Sequence, residues 1–439
     1  MRNKNFFVQH TILNLLLVLA IGISVILTGF TFKSFGQAEA PSQAVAQQSD
    51  QQLLKVFRPT QYVVTQAGGQ QNVILKTDAV NVKDIKNALT SADFSDAQTE
   101  TVSTEQIEKV LRLKSSFTLR YPDVVPLAYF NMRYSQQVDP QSFNFNYFVL
   151  AMDNSHNGYF VNTQKRQIMS VKVNKLNNNK VWGWVNQLPK SAVVNFKTYQ
   201  GQAMLRYTQP FKLPVYSYLV NRRDPKTYVS ALLGTLNQLV ISQSGDKTVY
   251  TNKLNHQTVT YDPDWETVTF EDHSTKNKLP KSYLDRLNLS FAQMNLLQLN
   301  LNDTRFYESQ AGGQQVTYRT YVEGFPVYFQ SESGAIHIDM AADGRQTSTY
   351  SLNELGVPVP NQQSDVTLPA TDDVLKQLEA AGVKPSDYDF ITPGYEWLIS
   401  KESQAAVNMV PTWMIETSDG WQSVDGYLAK RTGQASPTN

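Results

Sequence analysis

From Thr11 to Phe32 the chain carries no charged residue, and most positions are Leu, Ile, Val or Phe. At ~1.5 Å per residue a helix of this length reaches ~33 Å, enough to cross a hydrocarbon core of ~30 Å. Lipid offers the backbone no hydrogen-bond partner, so such a segment crosses as a helix bonded to itself. A cleaved signal peptide is the competing reading, because Ala38-Glu39-Ala40 matches the A-x-A pattern. The apolar run is longer than the ~7–15 residues of a signal h-region, and Pro41 follows the match directly. The balance favours an uncleaved, single-pass anchor. Arg2 and Lys4 precede it and only Lys33 follows closely, which places the N-terminus in the cytoplasm and the bulk outside the cell membrane.

The anchor leaves most of the 439 residues to fold on the far side. That length supports two or three domains, each with its own core. An apolar share of 41%, a charged share of 18% and 11% aromatics describe globular rather than disordered sequence. The net charge of +1 comes with no Lys/Arg-dense run, so no nucleic acid is expected as a partner. There is no cysteine. Disulfides, thiol catalysis and thiolate metal sites are excluded, and an exported fold must rest on its cores alone.

Gly36 to Gln52 is rich in Gln, Ala and Ser without an apolar period, and reads as a flexible stalk. Val56 to Pro59 and Gln61 to Thr65 read as extended. Gln66-Ala67-Gly68-Gly69-Gln70-Gln71 reads as a hairpin turn, and the same hexapeptide recurs at Gln310 to Gln315. Reuse of a good turn is favoured over a duplicated fold unit. Helices are expected at three places. One starts at Ser103, with Gln106 completing a capping box and Ile107, Val110, Leu111 and Lys114 at helical spacing. One runs from Asp224-Pro225 to Gly234. One spans Thr371 to Ala381, capped by Thr371, with Val374, Leu375, Leu378 and Ala381 facing inward and Gly382 as its stop. Strands are expected at 143–149, 159–161, 249–250, 258–261, 267–270, 396–399, 408–416 and 421–424. Long strand runs with isolated helices point to an α+β class with mostly antiparallel sheets. The expected organisation is a cytoplasmic tail (1–10), transmembrane helix (11–32), stalk (33–52), N-terminal (53–190), central (191–280) and C-terminal (281–430) α+β domains, and a flexible tail (431–439).

No catalytic constellation stands out. G-x-S-x-G, G-x-G-x-x-G, a Walker loop and H-E-x-x-H are all absent from the sequence. Ser244-Gly245-Asp246-Lys247 matches S-x-x-K but lacks the S-D-N and K-T-G companions, so it reads as an ordinary turn. His10, His156, His256, His273 and His337 show no ligand spacing. Asp262-Pro263-Asp264 reads as an Asx turn rather than a metal site. The tryptophans, Trp182, Trp184, Trp265, Trp413 and Trp421 among them, read as core or interface packing. No cofactor and no metal is expected, and the chain is read as not an enzyme.

The order of these pieces resembles the YycH family, membrane-anchored accessory regulators of the YycG (WalK) sensor histidine kinase in Gram-positive bacteria. The resemblance is carried by the N-terminal helix followed by Lys55-Val56-Phe57-Arg58-Pro59. It continues through Asp224 to Leu233, Val249-Tyr250-Thr251-Asn252 and Val259-Thr260-Tyr261-Asp262. It ends with Tyr321-Val322-Glu323-Gly324-Phe325-Pro326-Val327-Tyr328, Gly394-Tyr395 and Val410-Pro411-Thr412-Trp413. Leu233 stands where the family often has Phe. The resemblance implies about three extracytoplasmic α+β domains, a YycI-type accessory partner, and contact with the kinase largely through membrane helices. An exported envelope binding module or wall-modifying enzyme is the alternative.

Within the anchor, Ala20, Ser24 and Thr28 lie four apart and form one strip of small residues, while Gly22 and Gly29 form a second. Small residues let membrane helices approach closely, which supplies the attraction that lipid does not. Two readings stand: small residues are common in such helices, or one strip docks on a kinase or partner helix.

Overall fold

In the computed structural model the first described element is a helix, α1 (Gln43–Val56), where a flexible stalk was expected. Its sequence, QAVAQQSDQQLLKV, contains no Gly or Pro and many good helix formers, so propensity makes the helix without a clean apolar period. Val56 is therefore helical, not extended. The structure describes residues 43–75, 80–153, 155–199, 202–273, 278–297, 303–329, 335–361, 363–400 and 405–432. The expected span 11–32, with Ala20, Gly22, Ser24, Thr28 and Gly29, lies outside them. Among the described residues no helix is long and apolar enough to cross a membrane. Two compact units divide at Leu53/Leu54, and the larger, from Leu54 onward, holds both of the large sheets.

The first part of this unit runs β1 (Gln61–Thr65), β2 (Gln71–Ile74), α2 (Val80–Ser91), β3 (Asp93–Thr101), α3 (Thr104–Leu111), β4 (Ser116–Pro126) and α4 (Leu127–Tyr134). It continues β5 (Asn144–Ala151), β6 (Asn157–Asn162), β7 (Gln167–Asn174), α5 (Asn178–Gln187), β8 (Ala192–Tyr199) and β9 (Gln202–Tyr207). All nine strands join one antiparallel sheet in the order β3-β7-β6-β5-β4-β1-β2-β8-β9. The Gly-Gly turn closes the β1–β2 hairpin, pairing Thr65 with Gln71, with Gly69 at φ 87°. The capping box forms as expected: Gln106 N–H donates to Ser103 Oγ, and Gln106 Oε1 accepts from Ser103 N. The helix stops at Leu111, short of Lys114.

The second part runs β10 (Phe211–Leu213), β11 (Tyr216–Arg222), α6 (Pro225–Leu233), β12 (Val240–Ser244), β13 (Lys247–Asn252), β14 (Gln257–Asp262), β15 (Thr267–Asp272) and α7 (Tyr283–Asn295). Then come β16 (Thr304–Gln310), β17 (Gln315–Val322), β18 (Phe325–Tyr328), β19 (Ala335–Met340), β20 (Gln346–Ser351), β21 (Asn353–Val359) and β22 (Val366–Leu368). The chain ends α8 (Thr371–Ala380), β23 (Phe390–Ile399), β24 (Ala406–Thr417), β25 (Gly420–Ser423) and α9 (Val424–Thr432). These strands build a 14-stranded sheet from β12 to β21, and β10 pairs with β22 apart from it. One pair, β18 with β23, is parallel. The class is thus mixed α+β with mostly antiparallel sheets. Strands from 191–280 serve both large sheets, β8 and β9 the first, β11 to β15 the second.

Local details depart from the expectations in one of these helices and in one tryptophan. Asp224 caps α6 as expected, its Oδ1 accepting from Lys226 N at 2.9 Å. For α8 the cap position is Ala370, without a side-chain bond. The Thr371 hydroxyl instead accepts the backbone N–H of Tyr207 at 2.8 Å, because β9 lies against the helix start and needs an acceptor there. Ala381 is exposed, and Val383, beyond the Gly382 turn, takes the next buried place. Trp265 sits on a turn and is 51% exposed, unlike Trp397 and Trp413, which are buried.

Burial explains the layers. In the first sheet Phe148 faces α4, where Phe130 packs on Phe145, Phe148 and Phe160 with ring centroids 4.7–6.0 Å apart. Tyr147 and Val149 belong to the opposite core, with Ile107 and Leu111 of α3 and Phe196 of β8. That second core runs on without a break through Tyr207 and Phe211 to Phe325, Tyr395 and Trp413. Each such aromatic buried contributes about 1.5–3 kcal/mol. The two sheets are therefore parts of one hydrophobic interior.

Candidate functional site

The two sheets meet along a seam that is polar at its surface and aromatic beneath. Its most inserted piece is the β17–β18 hairpin, whose two-residue turn is Glu323-Gly324. Both residues have positive φ, 49° and 78°, as a tight hairpin turn of matching twist requires. A Cβ on Gly324 would lie 2.6 Å from the carbonyl oxygen of Thr60, so the turn presses its backbone on the start of β1. Behind it, Glu323 accepts a short hydrogen bond from the Tyr216 hydroxyl.

Asp123 closes the seam from the other side. It sits where the β4–β5 register shifts between Arg120 and Val125. Its Oδ2 accepts the Ser309 N–H at 2.8 Å, and its Oδ1 accepts from Val124 N at 2.7 Å and Gln164 Nε2 at 2.6 Å. Burial raises its pKa despite those donors. Nearby, Asp303 takes a bidentate grip from Arg305 at 2.8 and 2.6 Å and a short ion pair from Arg58. Burial opposes ionisation of Asp303, yet the Arg305 and Arg58 charges hold its carboxyl below the usual range. Arg305 itself is 2% exposed and bonds the carbonyl of Pro59.

Between these clamps lies a cleft of about 290 Å³. Glu308, Asp389 and Glu416 line it, and Trp421, Tyr307 and Tyr328 wall it. The Arg319 guanidinium stacks 5.0 Å from both tyrosine ring centres, and the two hydroxyls meet at 3.1 Å. Burial, then the charges of Glu308 and Asp389, push the Glu416 carboxyl up to about 7, against the opposing pull of Arg319. Burial also raises Glu308. The arrangement can titrate near neutral pH and can hold a polar group. It does not pair a nucleophile with a base oriented by a third residue.

The sequence motifs fall elsewhere. Ser244 to Lys247 is the two-residue turn of the β12–β13 hairpin, and Lys247 Nζ pairs with Asp262 at 2.7 Å. Asp262 also accepts from Asp264 N and Trp265 N, the Asx turn expected there. Among the described residues no group of three or more His, Asp or Glu is placed to hold a metal. Sequence reading did single out Tyr321 to Tyr328 within the family pattern. It missed Asp123, Arg305 and Glu416, for which the one local signal was Pro122-Asp123 interrupting a strand pattern.

Two family descriptions match the chain: "YycH protein, N-terminal domain" over residues 10–189 and "YycH protein, C-terminal domain" over residues 203–432. Among solved structures, the crystal structure of YycH from Bacillus subtilis is similar with a TM-score of 0.66. The likeness covers 85% of this chain and 96% of that one at 13% identity, and is one of fold. No curated protein sequence matches.

Proposed function

The chain belongs to the YycH family, and on that ground we propose that it is a non-enzymatic, membrane-anchored regulator of a two-component sensor histidine kinase of the YycG (WalK) type. The observation that carries the reading is family likeness across both halves of the chain, from residue 10 to residue 432. In this reading residues 11–32 span the cell membrane with the N-terminus inside, and residues from 33 onward lie outside. A YycI-type protein is the accessory partner. The kinase is met through the strip of Ala20, Ser24 and Thr28 or that of Gly22 and Gly29, where small side chains allow close backbone approach. No cofactor takes part.

Two measurements test this. Protease added to intact protoplasts is expected to digest the large region, and protection of that region would overturn the topology. Crosslinking of the full chain to the kinase in membranes is expected to fall with Ser24→Leu or Gly22→Leu while insertion is unchanged. Survival of the crosslink in both variants would move the contact off these strips to the outer region. A second reading, an envelope binding module, draws on the carboxylates that converge in the cleft beside Glu416.

A further inference from the structure

Away from the seam, a second pocket of about 240 Å³ opens between α2, α4 and the outer face of β1 and β4. Its floor is apolar: Leu89 of α2, Phe117 and Leu119 of β4, and the ring of Tyr62, all buried. Its rim is cationic. Lys83 and Lys86, one helical turn apart on α2, face Arg133 of α4 across it. Among the described residues none of these three has a carboxylate within ion-pair distance. Arg58, also at the rim, shares Asp303 with Arg305, so that carboxylate leaves no surplus negative charge.

Two independent observations mark this as more than a solvated lysine face. Arg133 spends one amino group on the carbonyl of Leu54 at 2.7 Å, but its Nε–H is buried without an acceptor. A buried donor left without an acceptor is destabilising. Lys86 is also crowded: partial burial and then the charge of Arg133 lower its pKa. Like charges gathered over an apolar floor repel one another more strongly than they would in open water. An anion seated among them offsets that repulsion.

We propose that this pocket is a binding site for a phosphate ester with an apolar portion. The phosphate oxygens take the two ammonium groups and the guanidinium of Arg133, and the apolar part lies on Leu119 and Tyr62. Several cations converging on one point suit a group with several charged oxygens better than a single carboxylate. The same chemistry is presented by an anionic lipid headgroup and by a free phosphate ester. The proposal stands apart from the kinase reading and does not depend on it.

The full chain in phosphatidylcholine nanodiscs is titrated with phenyl phosphate by calorimetry. We expect saturable binding that weakens as salt is raised, and at least ten-fold weaker binding of inorganic phosphate. Lys83 and Lys86 are exposed, so a Lys83→Gln/Lys86→Gln chain is expected to keep its unfolding temperature and lose at least ten-fold in affinity. Arg133→Lys keeps the charge but removes the planar guanidinium fork, and is expected to lose several-fold. Native mass spectrometry from discs that contain phosphatidylglycerol separates the sources. Lipid retained by the parent chain and not by the lysine double variant names the headgroup, whereas phenyl phosphate binding without retained lipid names a free ester. Absence of both, or binding equal in the parent and the lysine double variant, overturns the proposal.

Discussion

Replacing Gly324 by alanine tests the seam at its tightest point. The substitution places a Cβ on a residue at φ 78°, which costs an L-amino acid about 1 kcal/mol or more. The new atom also lies 2.6 Å from the Thr60 carbonyl oxygen and 3.5 Å from that of Leu75. Both neighbours are backbone, so no rotamer change relieves the contact, and forced repacking of this kind costs about 1–3 kcal/mol more. The sum is about 2–4 kcal/mol. Unfolding entropy of ~2.1 cal/mol/K per residue, taken over the roughly 390 residues after Leu53, converts this to a fall in Tm of about 2–5 °C. Gly245→Ala is the control. Gly245 has φ 61° but nothing within 4 Å of its ideal Cβ, so only the backbone penalty applies. Its Tm is expected to fall by about 1 °C, on the same entropy scale. Calorimetry of the full chain measures both. Equal shifts for the two glycines would refute the claim that the hairpin backbone bears on Thr60.

The other predictions concern side chains. Glu416→Gln is expected to stabilise the protein near pH 8 and to change little at pH 4. The folded pKa of Glu416, about 7, lies above its unfolded value, so its stability contribution is present at low pH and is lost as pH rises through the window from ~4.3 to 7. With screening at this partly open site, the pH 8 gain in urea unfolding should be on the order of 1 kcal/mol. Asp123→Asn places an amide N–H2 among three donors, and a loss of about 1–3 kcal/mol in the same assay is expected. Ser244→Ala and Lys247→Ala are expected to leave any phenotype unchanged. Covalent labelling of Ser244 by a β-lactam probe would contradict the reading of that segment as a turn.

What could be read from the sequence was what short stretches of chain decide for themselves. Ser103 and Gln106 complete their capping box within four residues. Asp224-Pro225 starts its helix, and Gly68-Gly69 and Gly312-Gly313 turn their hairpins, because the necessary partners are sequence neighbours. Two of the helices that went unread have residues that do not declare an amphipathic period. In α4, Leu127, Tyr129, Phe130, Asn131 and Tyr134 are all buried, so the helix shows no polar stripe. In α1 the polar Gln and Ala residues give propensity without a face. Thr371 illustrates a different failure. Its sequence position fits a cap, but the Tyr207 N–H, 164 residues earlier, claims its hydroxyl.

The seam was hidden for the same reason, carried further. Asp123 bonds Ser309, Arg305 reaches back to Pro59, Tyr216 bonds Glu323, and Gly324 lies on Thr60. Each partner stands more than a hundred positions from its mate. A single sequence read without homologues shows periodicity and turn chemistry, but not which distant residues share a surface. Charge gives no hint either. Nothing in the charge pattern shows that Arg305, at 2% exposure, grips Asp303 through two bonds, or that Asp123 is buried against the Ser309 amide. The segment Tyr321 to Tyr328 was singled out through the family pattern, not through its partners. In the structure Glu323-Gly324 is a hairpin turn, and Gly324 rests on the carbonyl of Thr60 in the first sheet, a contact between residues too far apart in the chain for turn chemistry or periodicity to show.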